Sequence, residues 1–124
     1  MTDASRRAPS VSVALGTHNG ARYLGAQLAS VLAQTRPVHE IVLSDDASAD
    51  DTVALAERLV AEHRATGSPV ELVVLHNRPA LGVTANFEQA LRTASGDVIA
   101  LCDQDDVWHA DRVERALRAF DERP

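Results

Sequence analysis

Lysine is absent from this 124-residue chain, so every fixed positive charge is carried by arginine. That absence excludes a phosphate-binding loop of the Gly-x-x-x-x-Gly-Lys type, and the all-arginine usage reads as a compositional bias rather than as function. A single cysteine, Cys102, excludes an internal disulfide and fits a reducing compartment. No stretch approaches 18 consecutive apolar residues, so no segment is expected to span a membrane. Residues 1–9 are polar, which argues against a secretory signal and predicts a disordered N-terminal tail ahead of one domain over residues 10–124. The net charge of -6 leaves no basic face for a nucleic acid. A soluble, cytoplasmic protein is expected. With 45% hydrophobic and 24% charged residues the chain is ordinary globular material, long enough to bury roughly two-thirds of its unfolded surface.

Four β-branched-rich apolar runs are of strand length: Val11–Leu15, Ile41–Leu43, Val70–Leu75 and Val98–Leu101. Helical stripes lie between and after them. Leu24, Leu28, Val31 and Leu32 form the first, with Pro37 beyond it. Val53, Ala56, Leu59 and Val60 form the second, behind a Ser48–Asp51 pair spaced like a capping box. Val83, Phe87, Ala90, Leu91 and Ala94 form the third, closed by Gly96, and Val113, Leu117 and Phe120 mark a fourth. The order β-α-β-α-β-α-β-α predicts a Rossmann-like α/β fold, a parallel sheet with helices on both faces.

Ligands of such sheets bind beyond the carboxyl ends of the strands. The residues expected there are Thr17-His18-Asn19, Asp45-Asp46, His76-Asn77-Arg78 and Asp103-Gln104-Asp105-Asp106. Five aspartates on one edge repel one another unless a cation or proton lies among them. Oxygen ligands of this kind suit Mg²⁺ or Mn²⁺, which take one or two protein carboxylates and fill the remaining positions with water and phosphate. The turn Gly16-Thr17-His18-Asn19-Gly20 lacks the Gly-x-Gly-x-x-Gly of dinucleotide sites, so a phosphate ligand would be neutralised by metal rather than cradled by glycines. The plainer reading of a carboxylate between strand and helix is a cap or turn residue, and Asp50 and Asp51 are assigned to capping. His18 is a candidate contact for a base or sugar. His39 and His63 read as surface residues, and Cys102 and Trp108 read as core.

Three of these segments, in order, resemble glycosyltransferase family 2. Val11 to Gly20 is similar to its opening strand and Thr-x-Asn turn. Ile41 to Thr52 resembles its Asp-Asp-x-Ser-x-Asp-x-Thr segment. Ser95-Gly96-Asp97, followed by a strand and Asp103-Gln104-Asp105-Asp106-Val107-Trp108, resembles its metal motif in the form seen in rhamnosyltransferase-like bacterial members. The likeness covers Val11 to Phe120, with Ala80 and Ala85 standing where many members carry Asn and a basic residue. It implies the nucleotide-sugar-binding half of a GT-A fold, with a UDP- or dTDP-sugar donor and a saccharide or lipid-linked acceptor. Asp46 would hydrogen-bond the pyrimidine, with Asp45 beside it, and Thr17 and Asn19 would border base and ribose. Asp103 would sit near ribose and metal, and Asp105 would hold the Mn²⁺ or Mg²⁺ that bridges the diphosphate.

Family members continue past the fourth helix into an acceptor half that supplies the base. No catalytic base is therefore assigned here, the chain is not expected to transfer sugar by itself, and its fourth strand is expected to be an open edge prone to self-association. Two alternatives remain: a nucleotide-binding module without catalysis, and a haloacid-dehalogenase-type phosphatase, whose nucleophile motif Asp103-x-Asp105-x-Val107 resembles.

Overall fold

The computed structural model describes residues 8–103 and 106–121. Its elements alternate as expected: β1 (Val11–Thr17), α1 (Ala21–Leu32), β2 (Glu40–Asp46), α2 (Thr52–Arg64), β3 (Glu71–Asn77), α3 (Val83–Thr93), β4 (Val98–Cys102) and α4 (Arg112–Asp121). All strand pairs are parallel, and the sheet order is β3-β2-β1-β4. The chain steps outward from β1 to β3, then crosses back to place β4 on the other side of β1. That reversal opens a crevice at the carboxyl ends of the strands beside β1, where open α/β sheets take their ligands.

Three strands outrun the apolar stretches that announce them. The parallel ladder continues through Thr17 opposite Asp45 and Asp46 opposite Asn77, so both aspartates are the last residues of β2 rather than the start of a loop. Pleating then sends Asp45 and Asp46 to opposite faces of the sheet. At the other end, β3 begins at Glu71, and Val70 is buried ahead of it.

The two faces are covered unequally. On one, Val13, Leu15, Ile41 and Leu43 pack beneath α1 and α2, with Leu24, Leu28, Val31, Ala56 and Val60 facing inward, and Val113 of α4 joins the same core. Fully burying a Leu or Val side chain is worth about 1.5–3 kcal/mol, so this face carries most of the stability. On the other, α3 alone covers Ala14 and Val42 with Ala90. Small residues bring that helix close to the sheet: a Cβ at Gly16 would lie 3.2 Å from Asn86 Nδ2 and 3.3 Å from Phe87 Cε2.

Two local expectations are corrected. The Ser48–Asp51 capping box does not form, and the Asp51 side chain makes no cap bond to α2. Ser48 Oγ is drawn instead to Asp45 Oδ1 at 2.6 Å, while Asp50 Oδ1 accepts the Thr52 amide at 3.1 Å. Gly96 does not close α3, which ends at Thr93. Its lack of a side chain serves a close approach instead, because a Cβ there would lie 2.6 Å from Ser12 Oγ and 2.8 Å from Ser12 N. Around this contact the base of the sheet is stapled by the buried Glu40, whose carboxylate accepts Ser12 Oγ (2.7 Å), Ser95 N (2.9 Å) and Ser95 Oγ (3.1 Å).

Candidate functional site

A pocket of about 210 Å³ opens at the crevice beside β1. Gly16, Thr17 and His18 at the end of β1, Asp46 at the end of β2 and Asp103 just past β4 form its strand side. Val83, Asn86 and Phe87, all on the first turns of α3, form its helix side. Thr17, Asp46 and Asp103 are thus brought together around one cavity. Asn19 and Asp45 do not line the cavity, and Asp105 lies outside the described residues.

The two excluded residues hold the rim. Asp45 Oδ1 accepts Thr17 Oγ1 (2.7 Å) and Ser48 Oγ (2.6 Å), and Oδ2 accepts the Ser48 amide (3.1 Å). Ser48 Oγ accepts the Asn19 amide at 2.8 Å, and Asn19 Oδ1 accepts the Ala49 amide at 2.7 Å. The turn after β1 is thereby tied to the turn after β2. Both turns use left-handed backbone, at Asn19 (φ 49°) and Ala47 (φ 54°). Asn tolerates that region, whereas for Ala it costs about 1–2 kcal/mol, which the surrounding hydrogen bonds offset.

Asp46 is the buried anion of the pocket. Its Oδ1 accepts the Leu81 amide (2.6 Å) and Asn77 Nδ2 (3.2 Å), and its Oδ2 accepts the Gly82 amide (2.9 Å). Burial opposes ionisation, but the two backbone donors, Asn77 and the nearby His18 together outweigh it and hold the carboxyl below its ordinary value. A carboxylate offers about four acceptor positions, so three donors leave room for one more on Oδ2. Asp46 therefore does double duty, clamping the loop that leads into α3 while keeping an acceptor position at the cavity.

Below it runs a polar chain that pattern reading missed. Ser44 Oγ donates to Asn86 Oδ1 (2.6 Å), Asn77 Nδ2 donates to the same oxygen (2.8 Å), and Asn86 Nδ2 donates to Ser44 O (2.8 Å). The available signal was Asn86 itself, a polar residue among the inward positions of α3. His18 faces the carbonyl of Asp46 through Nδ1 at 2.5 Å, and a carbonyl only accepts, so Nδ1 carries the proton in the neutral ring. Arg78 Nη2 donates to Ser48 O at 3.2 Å, leaning its charge over the turn after β2.

Asp103 differs from the other two carboxylates. It is exposed, and no described residue hydrogen-bonds its side chain. Its main-chain oxygen is held by Gln27 Nε2, which fixes where the chain leaves β4. Among the described residues no three His, Cys, Asp or Glu side chains form a ready-made metal cage. Mg²⁺ and Mn²⁺ do not require one, since they commonly take one or two protein carboxylates and fill the remaining positions with water and phosphate. The expected reading of Cys102 and Trp108 as core residues holds, since both are buried, and burial pushes the Cys102 thiol up to about 11.

A switch-point pocket with the buried, hydrogen-bonded Asp46 at its floor and the exposed Asp103 at its mouth fits a nucleotide-binding α/β domain of the GT-A kind. Residues 12–124 match the family described as Glycosyl transferase family 2, and the chain belongs to it. It is 34% identical over 107 residues to the Escherichia coli UDP-Glc:alpha-D-GlcNAc-diphosphoundecaprenol beta-1,3-glucosyltransferase WfgD, covering 86% of this chain and 39% of that protein. S. aureus TarS 1-349 in complex with UDP superposes with a TM-score of 0.79 at 26% identity, over 91% of this chain and 32% of that one. The Pyrobaculum calidifontis mannosyltransferase PcManGT, in complex with GDP-Man and Mn2+, gives 0.79 at 25% identity, over 90% and 32%. The chain spans about a third of the length of the curated relatives it matches. The family overturns the phosphatase alternative.

Proposed function

We propose that this chain is the donor-binding part of a glycosyltransferase that takes a UDP- or dTDP-sugar together with Mn²⁺ or Mg²⁺ and serves transfer to a saccharide or lipid-linked acceptor. The observation that carries this reading is the pocket between Asp46 and Asp103 at the switch point of the sheet. Asp46 offers its remaining acceptor position to the ring N–H of a pyrimidine, a donor that adenine lacks at that edge. Thr17 and the Asn19 turn border base and ribose, with Asp45 holding Thr17 in place. Asp103 and Asp105 would hold the cation, which when bound neutralises the diphosphate and stabilises it as a leaving group. The chain's own residues bind and orient the donor, and proximity of this kind is worth several kcal/mol of barrier only once an acceptor and a base are also in place. The neighbours bound to UDP and to GDP-Man with Mn²⁺ support the donor class and the metal. The metal motif's form supports a rhamnosyltransferase-like specificity. No helix among the described residues is long and apolar enough to cross a membrane, in keeping with a cytoplasmic place for the domain. Self-association through the free β4 edge belongs to the same reading.

Competition binding tests it. UDP and dTDP are expected to displace a fluorescent UDP analogue in the presence of Mn²⁺, while ADP does not, and Asp105→Ala removes the dependence on metal. Equal displacement by ADP and UDP, or an unaltered metal requirement in Asp105→Ala, overturns the assignment.

A further inference from the structure

We infer that Asn86 is a second residue that reads the base: its side-chain Nδ2–H donates to a ring carbonyl beside the N–H that Asp46 accepts, so the pocket takes the N–H/C=O edge of uracil or thymine and rejects cytosine. This rests on the donor reading above and adds to it the residue that sorts one pyrimidine from another. Asn86 lies on the first turn of α3, is 4% exposed, and lines the pocket together with Asp46. Its plain role is to staple α3 to β2 through Ser44. That role leaves one of its hydrogens unexplained.

The neighbours of the amide fix which end is the donor. Asn77 approaches an Asp46 oxygen at 3.2 Å, and an ionised carboxylate only accepts, so the approaching atom is the Asn77 nitrogen. The same nitrogen reaches Asn86 at 2.8 Å, and the atom it meets must therefore be the Asn86 oxygen. That turns Asn86 Nδ2 to Ser44 O at 2.8 Å, again a group that only accepts. Ser44 O takes one Nδ2 hydrogen, and no described residue accepts the other. Across from this nitrogen stands Gly16, also a lining residue, where a Cβ would lie 3.2 Å from Nδ2. The missing side chain leaves the nitrogen uncovered on the pocket side. A buried N–H without an acceptor is uncommon, so this one asks for an oxygen from the cavity.

Asn77 also sets the spacing of the two readers, because its one nitrogen bonds both Asp46 Oδ1 and Asn86 Oδ1. An acceptor and a donor held side by side match a ring edge with N–H next to C=O. Uracil and thymine carry it twice, since N3–H lies between two carbonyls. Cytosine has a bare N3 there, an acceptor turned on a carboxylate, with an amino group to one side. Adenine has the same reversed order. Guanine shows N–H beside C=O as well, so the pair sorts bases by edge and not by ring number.

Titration calorimetry of UDP, CDP, 2-thio-UDP and 4-thio-UDP in the presence of Mn²⁺ tests this, because sulfur is a poor acceptor in place of a carbonyl oxygen. UDP should bind at least about tenfold more tightly than CDP, since cytosine offers no N–H to Asp46 and leaves its carboxylate facing an acceptor. One of the two thio nucleotides should lose about two- to tenfold against UDP, and which one it is identifies the carbonyl that Asn86 meets. In Asn86→Ala that penalty should vanish, and the cycle of ligand and side chain cancels any effect of sulfur on the neighbouring N–H. A merely structural Asn86 would weaken all four ligands alike and leave the thio penalty in place. Two thio nucleotides as tight as UDP overturn the proposal on the unsubstituted chain alone, whether or not Asn86→Ala folds. A penalty that persists in Asn86→Ala, or CDP bound as tightly as UDP, overturns it too. UDP binding without these contrasts leaves the donor site standing and removes only the role of Asn86. No UDP binding with Mn²⁺ overturns the donor reading and this inference with it.

Discussion

Replacing Asp46 by asparagine exchanges one carboxylate oxygen for an amide nitrogen and should weaken the free protein before any ligand is considered. The carboxylate takes three N–H donors: Leu81 and Asn77 on Oδ1, and Gly82 on Oδ2. Asparagine keeps one acceptor oxygen, so its amide nitrogen must face a donor, either the Gly82 amide or the Leu81–Asn77 pair. Hydrogen bonds to a charged group are worth about 1.5–3 kcal/mol against about 0.5–1.5 for neutral ones, and a donor left unpaired costs about 1–3. Both amides are only partly buried, so water recovers some of that loss, and the lower end applies: a destabilisation of about 2 kcal/mol. Urea denaturation at neutral pH is the assay, with a lower midpoint at an unchanged slope. Hydrogen exchange should quicken at Leu81 and Gly82 in particular. A loss under about 0.5 kcal/mol, with exchange at those amides unaltered, would refute the clamp.

Acid should destabilise the fold with a definite sign. Burial resists ionisation at Asp46 and at Glu40, yet donors from Leu81, Gly82 and Asn77, and from Ser95 and Ser12, hold both carboxyls below their ordinary 3.8 and 4.5. Their stabilisation is complete above the unfolded-state values and is lost as pH falls through the lower folded ones. Tm should therefore stay level near neutrality and fall on acidification below the ordinary carboxylate range, less steeply in Glu40→Gln; a Tm indifferent to that acidification contradicts it. Gly96→Ala should cost about 2–4 kcal/mol by overpacking against the Ser12 backbone and by breaking the Gly96–Ser12–Glu40 hydrogen bonds, and a chemical melt within about 0.5 kcal/mol of the parent would contradict that.

The alternation of strands and helices was legible because each apolar run carries its own period, and the stripe Leu24, Leu28, Val31 faces the core as its spacing says. Strand ends were not. Asp45 and Asp46 look like loop residues, since polarity is the usual mark of a loop, but a parallel ladder extends wherever a neighbouring strand accepts its hydrogen bonds. That one-residue distinction turns Asp46 to the pocket and leaves Asp45 off its lining. The capping box failed for a related reason: Ser48 Oγ, which would have accepted an N–H at the start of α2, accepts the Asn19 amide and donates to Asp45 instead. Phe120, placed by its period on the core side of α4, is 58% exposed and lines a groove between β4 and α4. The Ser44–Asn77–Asn86 chain joins three elements, and no local pattern marks such a meeting.

Isothermal titration of UDP into the purified chain, once with Mn²⁺ and once with excess chelator, tests the donor site most directly. The carboxylates at the carboxyl ends of the strands repel a bare diphosphate, so binding should be measurable with the metal and weaker by at least about tenfold without it. Equal affinity under both conditions would contradict a metal-bridged nucleotide-sugar site between Asp46 and Asp103.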